Sequence, residues 1–154
     1  MADKPASLFL QATCVSVDGV GVLLRGPSGS GKSDLALRLI EGGAQLVADD
    51  GVEIARRGDA LIARLPATAP ESLRGRLEVR GLGILPVALA AAAPVGLVVD
   101  LVAAEQIERL PEPAVAEWLG LAVPRFALAA FEASAAAKLR LAVRARARAI
   151  IRSS

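Results

Sequence analysis

Histidine is missing altogether from the 154 residues, so no imidazole can serve as base, acid, metal ligand or pH sensor. Cysteine occurs once, at Cys14, which excludes an internal disulfide and fits a reducing compartment. Cys14 is expected as a small core residue on a strand. Aromatic residues make up 3% of the chain, so the core has to be built from Leu, Val, Ile and Ala, although 54% of residues are hydrophobic and the mean hydropathy is +0.50. The longest stretch without charge, residues 81–99, is broken by Gly83, Pro86, Pro94 and Gly96. It reads as two buried strands with a loop, and a membrane span is not expected. No charged start followed by an apolar segment and a small-residue cleavage site argues for export, and a cytoplasmic location is expected. Internal repeats and low-complexity linkers are absent too. The length fits one domain, residues 1–154, and the formal charge of +2 does not by itself imply nucleic acid.

What is present is a phosphate-binding loop. Gly26, Pro27, Ser28, Gly29, Ser30, Gly31, Lys32 and Ser33 satisfy G-x-x-x-x-G-K-[ST] at every fixed position. The context agrees: residues 20–24 read as a buried strand and residues 33–40 as a helix, whose face of Leu35, Ala36, Leu39 and Ile40 is stopped by Gly42 and Gly43. Glycines let backbone N–H groups turn inward on phosphate oxygens, and the helix N-terminus points its positive end at the same place. Lys32 is expected on the outer phosphates and the Ser33 hydroxyl on a magnesium ion.

Residues 8–17 have strand composition, and Asp18-Gly19 is a preferred two-residue hairpin turn, so the strand entering the loop has an antiparallel partner and the sheet should be mixed. A short apolar strand, residues 44–48, then ends in Asp49-Asp50-Gly51. Adjacent carboxylates repel, and a metal with a phosphate-cradling lysine would offset that. One carboxylate would hold magnesium while its neighbour accepts the proton of an attacking hydroxyl; the other reading is an exposed turn. Asp100, at the end of the apolar run 95–99, is a lower-ranked rival for the metal.

Residues 52–57 and 60–65 suggest a second hairpin turned at Gly58-Asp59. Glu78 and Arg80 stand two apart on a short strand and face either one site or solvent. Arg125, beside Pro124 in an expected loop, either clamps a phosphoryl group or is solvated. From Ala133 the chain is expected to be helical to about Ile151. Arg140, Arg144, Arg148 and Arg152 form a stripe at spacing four, with Leu139, Val143 and Ile150 on a second face. That describes a docked amphipathic helix, or a surface for an acidic partner. No aromatic residues stand among the arginines to favour nucleic acid.

Taken together, residues 26–37, Leu46-Val47-Ala48-Asp49-Asp50 and Glu78-Val79-Arg80-Gly81-Leu82-Gly83-Ile84 resemble the catalytic domain of HPr kinase/phosphorylase, over roughly residues 8–151. Phe131-Glu132-Ala133-Ser134 with Lys138-Leu139-Arg140 is similar to the short alphaproteobacterial form, which lacks a separate N-terminal domain. The resemblance implies a phosphate-loop core related to phosphoenolpyruvate carboxykinase. It also implies ATP- and magnesium-dependent phosphorylation of a serine on the phosphocarrier protein HPr, reversed by inorganic phosphate in many members, and a homo-oligomer, hexameric in longer members. Residues 26–33 would hold nucleotide phosphates, with Ser33, Asp50 and Glu78 near magnesium and Asp49 as base. Arg80 belongs to the defining motif, and Arg125 matches the family's arginine before the last helices. One departure stands out: the family's usual first-strand histidine is Gln11 here, which cannot donate a proton at neutral pH. Phosphorolysis is therefore expected to be weaker than the kinase reaction. Alternative readings are a kinase for a different acceptor, a nucleotide-gated interaction module with little turnover and, last, a basic-helix nucleic-acid binder. Pyrophosphate is a second candidate donor.

Overall fold

The computed structural model describes residues 7–153, with side-chain environments from residue 7 to residue 146. The polar start at residues 1–6 and the side chains of Arg148, Ile150 and Arg152 lie outside the described residues.

The first structural fact is a break. The expected strand over residues 8–17 is two strands, β1 (Ser7–Leu10) and β2 (Thr13–Val17), separated by a bend at Gln11 and Ala12. Each takes a different partner, which is what the bend permits. β2 turns back into β3 (Val20–Arg25) through Asp18 and Gly19, with φ of 51° and 80°, the doubly left-handed turn that suits the twist of a hairpin. β3 runs into the phosphate loop and then α1 (Lys32–Glu41). The helix buries Leu35, Ala36, Leu39 and Ile40 as the periodicity predicts and stops at Gly42-Gly43, where the Gly43 N–H reaches the Ile40 carbonyl at 2.9 Å. β4 (Gln45–Ala48) then lies antiparallel to β2, delivering Asp49 and Asp50 at its end.

β5 (Val52–Arg57) and β6 (Ala60–Arg64) form the expected hairpin around Gly58-Asp59, and β1 pairs with β5. The long strand β9 (Ala92–Leu101) is the junction. Its first residues pair antiparallel with β6, while its later residues pair parallel with β3 on one side and with β11 (Leu121–Leu128) on the other. The result is a mixed α/β sheet of nine strands, as the hairpin at the loop entrance predicts. Two apolar clusters sit on its two faces, because strand residues alternate: Val22 and Leu24 face one, Leu23 the other. The first is closed by α1 and α2 (Ala135–Ser153), with Leu139 and Val143 buried.

Four expectations need correction. The uncharged stretch 81–99 does not hold two buried strands: its first strand, β8 (Gly83–Pro86), is exposed and pairs only with β7 (Arg76–Val79) in a separate ribbon. β7 packs on α1 and buries Leu77, while Ile84 and Leu85 of β8 stay exposed. Arg125 lies on β11 and not in a loop, because Leu119 and Gly120, both at positive φ, close a hairpin between β10 (Ala114–Trp118) and β11. Arg140 is not solvated: its guanidinium donates to the Arg38 and Leu39 carbonyls at 3.2 and 3.3 Å, at the C-terminus of α1. The last helix begins two residues later than expected, at Ala135.

Candidate active site

The loop leaves β3 at Gly26 and needs its glycines. Gly29 and Gly31 hold φ of 83° and 99°, and a Cβ on Gly31 would come within 2.7 Å of the Ala130 Cβ and 3.1 Å of the Phe131 ring. α1 therefore starts from a glycine with no side-chain cap, which leaves its first N–H groups pointing into the loop. Lys32 Nζ folds back to donate to the Gly26 carbonyl at 2.5 Å and to that of Pro27 at 3.4 Å. Ser30 Oγ is buried and has no partner among the described residues. A cradle of free N–H groups, an orphaned hydroxyl and a lysine parked on carbonyls suits phosphate oxygens. Arg38 ties the next segment to the helix by donating to the Ala130 and Glu132 carbonyls and pairing with Asp34 at 2.8 Å, which keeps Phe131 over Gly31.

β4 brings the acidic pair against this loop. Asp49 Oδ1 accepts from Ser33 Oγ at 3.2 Å and from Thr13 Oγ1 at 3.0 Å, and Asp49 Oδ2 accepts from the Glu78 N–H at 3.3 Å. The Thr13 hydroxyl in turn accepts from the Asp50 N–H at 3.1 Å, and the Gly51 N–H reaches the Ala12 carbonyl at 2.8 Å. The pair is thus a locked turn, with Asp50 in the left-handed region at φ 53°, where a non-glycine residue persists only when its surroundings hold it there. Asp49 meets the loop through Ser33, and both Asp49 and Asp50 line an open cleft that none of residues 26–33 borders.

The remaining candidates divide. Glu78 comes to Asp49 through its backbone, with an exposed side chain on β7, and Arg80 is exposed in the turn that follows, past the end of that strand. Among the described residues no three of His, Cys, Asp and Glu gather as a metal cluster. Ser33, Asp50 and Glu78 carry oxygen donors of the kind magnesium takes, but no hydrogen bond among the described residues joins the three side chains, and Ser33 and the Glu78 N–H both meet Asp49 instead. Asp100 is engaged elsewhere. It pairs with Arg25 at 2.8 Å and with Arg125 at 3.4 Å, while the Arg25 guanidinium lies 5.5 Å from the Trp118 ring centroid. Arg125 also donates to the Val115 carbonyl at 3.0 Å. Gln11 is exposed in the bend before Ala12, whose carbonyl holds Gly51.

Thr13 escapes a motif-based reading. It is fully buried at the start of β2 and connects Asp49 to Asp50; the available signal was a hydroxyl opening a mostly apolar strand.

A hairpin strand feeding a phosphate loop, with a carboxylate bonded to the loop's last serine, defines a phosphate-loop protein of the phosphoenolpyruvate carboxykinase type. Comparison makes the assignment narrower. The family model described as HPr Serine kinase C-terminal domain matches residues 6–145, and the chain belongs to that family. It is 47% identical over 78 residues to the HPr kinase/phosphorylase of an Exiguobacterium species, covering 51% of this chain and 24% of that one. It is 48% identical over 80 residues to the HPr kinase/phosphorylase of Caldanaerobacter subterraneus, covering 52% and 25%. The matched stretch therefore spans about a quarter of the length of these relatives. Among solved structures, the Hpr(Ser) kinase/phosphatase from Coxiella burnetii superposes with a TM-score of 0.79 at 26% identity, covering 93% of this chain and 98% of that one.

Proposed function

We propose that this chain transfers the γ-phosphoryl group of ATP to a serine of the phosphocarrier protein HPr. The observation that carries the reading is the 3.2 Å bond between Ser33 and Asp49, which sets a carboxylate at the edge of a loop built for phosphates. Residues 26–33 hold the β- and γ-phosphates, and Lys32 exchanges its carbonyls for their oxygens. The serine hydroxyl attacks the γ-phosphorus, its proton passes to Asp49, and ADP leaves. Ser33, Asp50 and Glu78 would hold magnesium, which when bound would neutralise charge on the phosphates. Arg80 and Arg125 are assigned to steadying the transferring group, Arg125 only after releasing Asp100.

A second division of labour has an observation in its favour: Asp49, not Asp50, touches Ser33, so Asp49 could be the metal carboxylate and Asp50 the base. Two variants separate them. Replacing the metal carboxylate by Asn raises the magnesium concentration needed for half-maximal rate. Replacing the base lowers kcat about 10²- to 10⁴-fold at unchanged magnesium requirement.

The primary test is phosphoserine on HPr after incubation with ATP and magnesium, absent with Asp49→Asn and with HPr whose serine is blocked. ATP bound without transfer would favour a nucleotide-gated module. Gln11 supports a weakened reverse reaction with phosphate, and Gln11→His is expected to raise the ratio of reverse to forward rate. Family resemblance supports a cytoplasmic homo-oligomer, and sedimentation of the full chain tests the hexamer. No helix among the described residues is long and apolar enough to cross a membrane.

A further inference from the structure

The phosphate loop has an apolar neighbour that phosphates do not require. Phe131 is 70% exposed, and a Cβ on Gly31 would stand 3.1 Å from its Cζ and 3.2 Å from its Cε1. The tip of the ring therefore touches the loop backbone while most of the side chain faces solvent. The chain holds only three phenylalanines, one tryptophan and no tyrosine. Phe126 packs on one apolar cluster and Trp118 on the other, whereas Phe131 gains little from burial.

The segment that carries it is nonetheless fixed. Arg38 of α1 donates to the carbonyls of Ala130 and Glu132, one on each side of Phe131. The Glu132 N–H reaches the Ala129 carbonyl at 3.2 Å, the Ala135 N–H reaches the Glu132 carbonyl at 3.1 Å, and the Glu132 carboxylate pairs with Lys138 at 3.7 Å. A large apolar side chain held exposed beside a polar loop marks a binding surface.

Position decides the occupant. β3, β9 and β11 run parallel, and both the loop and the connection 129–134 leave from carboxyl ends of these strands, on one edge of the sheet. In such sheets ligands lie in the crevice outside those ends. Only a ribose separates a nucleotide's base from its α-phosphate, so a nucleotide whose outer phosphates fill residues 26–33 carries its base close by. A flat, uncharged ring suits stacking, and every base has a face to stack. Resting on the phosphate-loop reading above, we infer that Phe131 is the platform on which the base of the donor nucleotide stacks. The loop grips the phosphates and the ring positions the rest of the nucleotide, which sets ATP apart from pyrophosphate, a donor with nothing to stack.

The experiment is isothermal titration calorimetry of the full chain with ADP and, separately, inorganic pyrophosphate, both with magnesium, for the parent, Phe131→Ala, Phe131→Leu and Phe131→Trp. ADP binding is expected to weaken about tenfold in the Ala and Leu variants and to stay within twofold in Phe131→Trp, with pyrophosphate within twofold throughout. Equal losses for the two ligands would make the ring a shaper of the loop, and unchanged ADP affinity in the Ala and Leu variants would put the base elsewhere; either overturns the platform. So does a rise in KM for HPr at unchanged KM for ATP, which would assign the ring to the acceptor. Leucine keeps an apolar side chain against Gly31, so the comparison holds if Phe131→Ala disturbs the connection. The expected ADP pattern without phosphoserine on HPr overturns the kinase and leaves the platform, whereas a parent that binds neither ligand overturns both.

Discussion

Single side chains show where reading by type works and where it stops. Cys14 has the expected role: it is fully buried on β2, and burial pushes its thiol up to about 12 from 9.0. The sign of the consequence is definite. Between those values the unfolded chain gives up the proton that the folded chain keeps, so stability falls as pH rises from about 9 to about 12. Urea midpoints measured across that range should fall less steeply in Cys14→Ala, and alkylation of the native thiol at pH 8 should proceed only at the rate of unfolding. Thr13 was illegible for the opposite reason. A threonine on a strand looks like any β-former, and only the packing of β2 against β4 makes its hydroxyl the link between two carboxylates. Arg125 carried a proline beside it that suggested a loop, yet Pro124 falls one residue before pairing with β9 begins, so the strand tolerates it.

Elements were legible where their signals are local. The hairpin at Asp18-Gly19, the loop and the stop of α1 follow from residues that tolerate positive φ at fixed positions. The break of β1 from β2 was not, because no glycine or proline marks Gln11 and Ala12; the bend exists because β5 and β3 compete for one continuous segment. Nor was the β10–β11 hairpin, whose turn begins with a leucine at φ 54°. The arginine stripe shows how a tertiary contact overrides a surface reading. Arg140 places its positive charge on the carbonyl end of α1, where both the helix dipole and two hydrogen bonds favour it. Arg140→Ala is expected to cost about 1–2 kcal/mol in urea unfolding, with Arg140→Lys in between. Arg144 is exposed, and its replacement by Ala should fall within about 0.5 kcal/mol of the parent.

At the scale of the whole molecule the proposed nucleotide binding has a reading in stability. ATP with magnesium at about a hundred times its dissociation constant should stabilise the fold by about 2.7 kcal/mol, a rise of roughly 5–10 °C in Tm. Gly31→Ala should abolish that shift, since the new Cβ would require positive φ and press on Ala130 and Phe131. Melting curves with and without nucleotide check this without any acceptor. The central strand, meanwhile, has a consequence for descent. β9 joins β6 and its neighbours, which carry Phe9, to β3 and its neighbours, which carry the loop, and the two groups pair with separate stretches of it. Phe9 and the phosphate loop therefore sit on different halves of one sheet. Substitutions can accumulate in the half built from β1, β5 and β6 while the strand that feeds the phosphate loop keeps its own pairing with β9, so the two halves can diverge at different rates.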